Sequence, residues 1–163
     1  MCSSEVSIMP FDFKKEHMLI NKLSREEIGE ALPLIWNVFC EYEAVNYSES
    51  GKLAFWQAIH SADYLNELTA YGAFHEDKLI GIIATRKEGS HIALFFVDGQ
   101  YHGCGVGRRL FEACMENNTN ARITVNSSEY AVDIYKKLGF VPEDEMHKDG
   151  GIRYIPMVLE RLT

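Results

Sequence analysis

From residue 99 to residue 110 the chain reads Gly-Gln-Tyr-His-Gly-Cys-Gly-Val-Gly-Arg-Arg-Leu. Glycine inside a helix costs about 1 kcal/mol relative to alanine. Even so, Gly103, Gly105 and Gly107 alternate just where an apolar helical spacing begins. A turn of this kind brings bare backbone N–H groups to a ligand, and the ligand that suits unpaired N–H groups at a helix start is an anion. Arg108 and Arg109 follow with charge of the right sign. The phosphate loop of nucleoside triphosphate enzymes needs G-x-x-x-x-G-K-[ST], and no Gly-Lys-Ser/Thr occurs here. The dinucleotide pattern G-x-G-x-x-G fails as well: after Gly103 and Gly105 its third place holds Arg108, and the next apolar run ends in Asn126, not in an acid for a ribose. What remains is a strand-to-helix turn around a pyrophosphate, against the plainer alternative of a tight turn that packs closely.

Several elements must position this turn. "HMLINKLS" is a short strand candidate, and Ser24-Arg25-Glu26-Glu27 forms a capping box that opens a helix. Ile28, Leu32, Ile35 and Phe39 continue it at helical spacing, and Pro33 should kink or restart it. "EYEAVNYSESG" reads as a polar connection and "KLAFWQAIHS" as a second short helix. The period then changes to that of strands. Residues 68–97 predict three strands joined by turns at Glu76-Asp77 and near Glu88-Gly89-Ser90, hence an antiparallel meander. Beyond the glycines, Val106, Leu110 and Cys114 share a helical face, "ARITV" is a strand, and Ala131, Ile134, Tyr135 and Leu138 mark another helix that Gly139 ends. "GIRYIPMVLERL" is a last strand. The order predicts a single α+β domain over residues 1–163, with one mixed, mostly antiparallel sheet covered by helices on both faces and residues 1–15 as a partly ordered tail.

A chain of 163 residues with net charge -8 lacks the basic clusters that nucleic acid or anionic lipid would need. No run approaches the ~20 apolar residues of a membrane span. Cys2, Cys40, Cys104 and Cys114 form no C-x-x-C, and no His pair has zinc spacing, so no metal is expected. Free thiols and the lack of a signal-like N-terminus point to the cytoplasm.

"FFVDGQYHGCGVGRRLFEACM" resembles the acyl-coenzyme-A motif of the GNAT (Gcn5-related N-acetyltransferase) superfamily, in which a strand leads into Q/R-x-x-G-x-G/A and a helix. "ITVNSSEYAVDIYKKLGFVP" is similar to that superfamily's next strand and helix, and "GIRYIPMVL" to its final strand. The likeness covers roughly residues 18–160. It implies the GNAT fold and an N-acetyltransferase that uses acetyl-coenzyme A as co-substrate, with direct attack by the acceptor in a ternary complex. The acceptor would be an amine, of a small molecule or a protein. A coenzyme-A-binding sensor with the same fold is the alternative. Oligomeric state stays open, with a homodimer as one option.

Carried over residue by residue, the resemblance implies that Gln100, Gly103, Cys104, Gly105, Val106, Gly107 and Arg108 hold the pyrophosphate. The backbones of Phe95, Phe96 and Val97 would line the pantetheine arm where their strand splays from its neighbour, and the Val97 N–H would meet the acetyl oxygen. Cys104 departs from the usual Lys or Arg; Arg108 could compensate, and the thiol is either a passive small group or one activated by the helix start. Asn126 either bonds the pantetheine amides or caps a helix with Glu129. Tyr135 is either a core residue or the donor to the coenzyme A sulfur. Trp36, Trp56, Tyr42 and Tyr47 are acceptor-pocket candidates, though aromatics at helical spacing also build cores. The sequence singles out no base among Glu41, Glu43, His91 and Asp98, and a water chain is open too.

Overall fold

A computed structural model describes residues 13–162. Most of the expected tail, and Cys2 with it, lies outside the described residues. Strand β1, Met18–Lys22, leads to helix α1, Arg25–Glu30. Both halves of the capping box are present, with the Ser24 hydroxyl accepting the Glu27 N–H at 3.1 Å and the Glu27 carboxylate accepting the Ser24 N–H at 2.8 Å. Pro33 falls in the first turn of α2, Leu32–Tyr42, so the chain restarts a helix there and places the missing N–H where none is needed. Helix α3, Glu49–Ile59, begins earlier than its apolar pattern suggested, because Ser48 accepts the Gly51 N–H at 3.1 Å and caps it. A short α4, Ala62–Asn66, capped by Ser61, has no periodicity long enough to read in sequence.

Strands β2, Thr69–His75, β3, Lys78–Arg86, and β4, His91–Val97, form the expected meander. Helix α5, Val106–Glu116, crosses to β5, Arg122–Ser127; helix α6, Val132–Lys137, then leads through β6, Val141–Pro142, and β7, His147–Asp149, to β8, Ile152–Glu160. The sheet order is β1-β2-β3-β4-β5-β8-β6, with β7 also on β8. All pairings are antiparallel except β4 with β5. Alternation along the central strands, reset by a bulge at Ile80 of β3 and another between Leu94 and Ile92 of β4, divides them between two cores. Ile80 and Ile83 of β3 pack under α5 and α6 with Leu110, Phe111 and Phe140; Ile82, Ala84, Leu94 and Phe96 pack under α1–α4 with Ile35, Phe39 and Ile59. Each large side chain so buried contributes roughly 1.5–3 kcal/mol.

The parallel junction is narrow. Strands β4 and β5 pair only at His91–Thr124 and Ile92–Val125, and the rest of β4 runs on without a partner on that side. The Asp98 N–H bonds the Ile80 carbonyl at 2.8 Å. By the alternation of an antiparallel ladder, the amides of Phe96 and Asp98 then face β3, and those of Phe95 and Val97 face the gap.

Candidate active site

A cavity of ≈ 290 Å³ opens at this gap. Its walls are the end of β4 (Phe95, Phe96, Val97), the turn and start of α5 (Gly103, Gly105, Val106, Gly107, Arg108), the start of α6 with Tyr130, Ile134 and Tyr135, and the end of α2 with Tyr42 and Glu43. Its form follows from local backbone chemistry. After β4 the Asp98 carboxylate accepts the Gln100 N–H at 2.9 Å, and the buried Tyr101 anchors a short 3-10 turn. Gly103 and Gly105 then take φ of +80° and +84°, which a β-carbon resists, and α5 starts with no side-chain cap. Its first N–H groups have no intrahelical acceptor and sit at the positive end of the helix dipole. A β-carbon on Gly107 would lie 3.6 Å from the Phe95 ring, in ordinary contact, so glycine leaves a methyl-sized space at the corner between α5 and β4.

The candidates divide. Phe95, Phe96, Val97, Gly103, Gly105, Val106, Gly107, Arg108 and Tyr135 all line the cavity. Gln100 does not: its side chain is exposed, and it is His102, two residues on, that joins the cavity wall from this turn. The Nε2–H of His102 donates to the Val97 carbonyl at 2.7 Å, and Nδ1 lies 3.5 Å from the Tyr130 hydroxyl. Cys104 is buried outside the lining, and burial pushes its thiol up, the direction opposite to activation by the helix start. Arg108 turns toward the end of α6, where Nη2 donates to the Lys137 carbonyl at 3.1 Å. Asn126 is exposed within β5, opposite Pro156, and caps nothing: α6 starts at Val132, and Ser128 accepts the Ala131 N–H at 3.2 Å. Glu129 instead pairs with Arg153.

Tyr135 is buried, with its ring edge-on to Phe95 at 6.0 Å and Phe140 at 5.5 Å. No hydrogen bond to its hydroxyl is present among the described residues, although the residue lines the cavity. Burial, and then the nearby Glu43 carboxylate, hold its phenol far above the ordinary value, so it is a proton-bearing donor. Ile134, expected on the apolar face beside it, is 44% exposed on the cavity rim.

Sequence reasoning left the base open, and the structure separates its candidates. Glu43 lines the cavity; burial raises its pKa to about 7, against a hydrogen bond with Ser128 that lowers it. Asp98 is occupied in the turn. His91 sits at the far end of β4, where its Nδ1 is 2.8 Å from Thr124 Oγ1, and burial, then Arg86 and Lys87, lower its pKa to about 4. Of the four aromatic candidates only Tyr42 reaches the cavity; Trp36 and Trp56 stack edge-on at 4.9 Å, and Tyr47 packs on Phe39 at 4.8 Å. Lys15 was also missed. Its Nζ would be 3.3 Å from a β-carbon on Gly105. One group of potential metal ligands does come together among the described residues: His17, His75 and Glu76, with ligand atoms within 4.8 Å, outside the cavity lining.

Comparison with known proteins follows this geometry. A family model described as acetyltransferase (GNAT) domain matches residues 43–161. A protein named peptidyl-lysine N-acetyltransferase YjaB, from Escherichia coli (strain K12), is 32% identical over 119 residues, 72% of this chain and 78% of that protein. Among solved structures, a GCN5-related N-acetyltransferase from Rhodopseudomonas palustris superposes with a TM-score of 0.74 at 18% identity, covering 87% of this chain and 94% of that one. The PaiA N-acetyltransferase of Thermoplasma acidophilum, in complex with coenzyme A, gives a TM-score of 0.69 at 22% identity over 88% and 98% of the two chains. At these identities the superpositions speak for the fold.

Proposed function

Because the chain belongs to the acetyltransferase (GNAT) family, an enzyme family, we propose that it moves an acetyl group from acetyl-coenzyme A to a primary aliphatic amine, by direct attack with both substrates bound. The observation that carries this reading is that one cavity is lined at once by an uncapped glycine turn, the unpartnered edge of β4, the Tyr135 phenol and Glu43. The turn suits the pyrophosphate: the N–H groups of Gly105, Val106, Gly107 and Arg108 converge without a side-chain cap, and the bare Gly107 leaves room beside Phe95. The outward amides of Phe95 and Val97 suit an extended chain of amides, and the Val97 N–H suits the acetyl oxygen. When bound, acetyl-coenzyme A supplies the activated acetyl thioester.

This chain's residues do the rest. An alkylammonium of pKa ~10.4 must lose a proton before it attacks. Handing that proton to a carboxylate of pKa about 7 is uphill by roughly 3 units, about 2.5 units less than to a glutamate at the ordinary 4.5. Glu43 is therefore the group on the wall best matched to receive it, directly or through a water. The new C–N bond forms as the C–S bond breaks; the nitrogen then gives up its second proton, which ends on the departing sulfur, and until then the electron pair on sulfur is met by the Tyr135 O–H. That phenol donates a hydrogen bond without surrendering its proton, because its pKa stands well above a thiol's. The relative named for peptidyl-lysine acetylation makes a lysine side chain the first acceptor to try, and the net charge of -8 suits a cationic one.

The test is thiol release from acetyl-coenzyme A with a panel of acceptors: lysine-containing peptides with blocked N-termini, their Lys→Ala counterparts, free lysine and a polyamine. Turnover that needs the lysine supports the reading. Turnover with polyamine alone moves the acceptor to a small molecule. Binding of acetyl-coenzyme A with no turnover on any amine leaves the sensor reading.

A further inference from the structure

The glycine turn supplies dipoles, but a pyrophosphate carries full charges, and the usual source of a cation at the centre of the turn is missing. Position 104 holds a buried, neutral thiol. Arg108, the obvious substitute, is hooked onto the Lys137 carbonyl at the end of α6. A different cation stands at the turn. Lys15 opens the short 3-10 segment Lys15–His17 that leads into β1. Its side chain reaches across to the start of α5, where Cε and Nζ would lie 3.1 and 3.3 Å from a β-carbon on Gly105. Lys15 is exposed, and no hydrogen bond or ion pair of its ammonium is present among the described residues. The segment that carries it is held in place by packing: Phe13 lies 4.9 Å from the His75 ring and 5.6 Å, edge-on, from Tyr101, the buried anchor of the same turn.

We propose that Lys15 is a phosphate-binding residue of the co-substrate site, delivered from outside the turn to supply the charge that Cys104 cannot. This rests on the reading of the cavity as a coenzyme A site. The chemistry is specific. An ammonium beside uncapped helix N–H groups favours a diphosphate over a neutral or singly charged ligand, because it adds the attraction of a full opposite charge to the hydrogen bonds that the backbone gives. Gly105 thereby acquires a second role, since besides adopting a positive φ it leaves the space through which the lysine passes.

Calorimetric titration of coenzyme A into the wild type, Lys15→Gln and Lys15→Arg tests the proposal. Turnover of a short acetyl thioester that lacks the nucleotide and its phosphates, S-acetyl-N-acetylcysteamine, serves as a second readout. Lys15→Gln should raise the Kd for coenzyme A by about five- to twentyfold, Lys15→Arg should recover most of the loss, and the difference should shrink at high salt. Turnover of the short thioester should be the same in all three proteins, which separates charge from any effect on folding. A Kd for Lys15→Gln within twofold of a wild type that binds coenzyme A overturns the role of Lys15 alone. So does an equal loss on the short thioester. A wild type that does not bind coenzyme A at all overturns the reading beneath it.

Discussion

Replacing Glu43 by glutamine keeps the side chain's shape and removes its charge, and the structure sets the size of two separate effects. The first is on stability. The folded carboxyl titrates at about 7 against an unfolded value near 4.5 because burial disfavours the anion. The folded chain therefore holds a proton between those values that the unfolded chain has released, and stability falls as pH rises through the window. The slope is about 1.4 kcal/mol per pH unit, so the full loss over the window from 4.5 to about 7, reached above pH 7, is at most roughly 3–4 kcal/mol. Glu43→Gln escapes it: its melting temperature should match the wild type near pH 4.5 and exceed it increasingly up to pH 7, then stay parallel. The second effect is on rate. If Glu43 takes the ammonium proton, kcat/KM on a good acceptor should rise with pH to a plateau just above 7, and the variant should lose that limb together with about 10²–10⁴ in rate. Thermal melts and initial rates over pH 4.5–8.5 measure both. A more stable variant with undiminished kcat/KM would show that Glu43 is a buried burden and that a water chain removes the proton. Parallel melting curves at every pH would refute the burial argument itself.

Tyr135→Phe should lower kcat at least about tenfold, roughly 1.4 kcal/mol, with KM for acetyl-coenzyme A and the melting temperature little changed. The ring keeps its contacts to Phe95 and Phe140, and no hydrogen bond is lost; a large stability loss at normal kcat would make the hydroxyl structural. Gly105→Val should abolish coenzyme A binding while circular dichroism stays folded, because a branched side chain at φ +84° both strains the turn and fills its mouth; binding within twofold of wild type would remove the turn as the phosphate cradle. His91, held neutral in the folded chain down to about pH 4, makes stability fall as pH drops from 6.5 toward 4. His91→Gln should flatten that acid limb in urea-melt free energies, and an unchanged limb would refute the assignment.

Most of the frame was legible because it is written locally. The capping box at Ser24, the restart at Pro33 and the period change after Leu68 each depend on near neighbours in the chain, and each appears where expected. Parts of the site were legible for the same reason: glycines that must take positive φ identify the turn whatever surrounds it. What could not be read depends on partners far along the chain. Glu43 is an ordinary polar residue until α2 and the Ser128 loop close over it. Lys15 is a tail residue until Phe13 docks on His75 and Tyr101. Asn126 could be read either as a ligand, from the family resemblance, or as a helix cap; α6 starts only at Val132, so it is no cap, and it stands exposed on β5 just past the last pair with β4. Gln100 was read as the polar residue ahead of the glycines, and it is the path of the 3-10 turn that places His102 at the cavity in its stead.

The narrow seam between β4 and β5 has a consequence for how the molecule folds. Strands β2, β3 and β4 close through short turns, so that meander can form early and alone; β5 and β8 are separated by α6 and two minor strands and must find each other over a longer loop. The two half-sheets meet through two residue pairs and the crossing helix α5. The strands contribute little to that union at the gap itself, and the halves are held instead by the core in which Ile80 and Ile83 pack with Ile123, Tyr135 and Phe140. A ligand bound in the gap would touch both halves and act as a clasp, slowing the parting of the halves far more than it speeds their meeting.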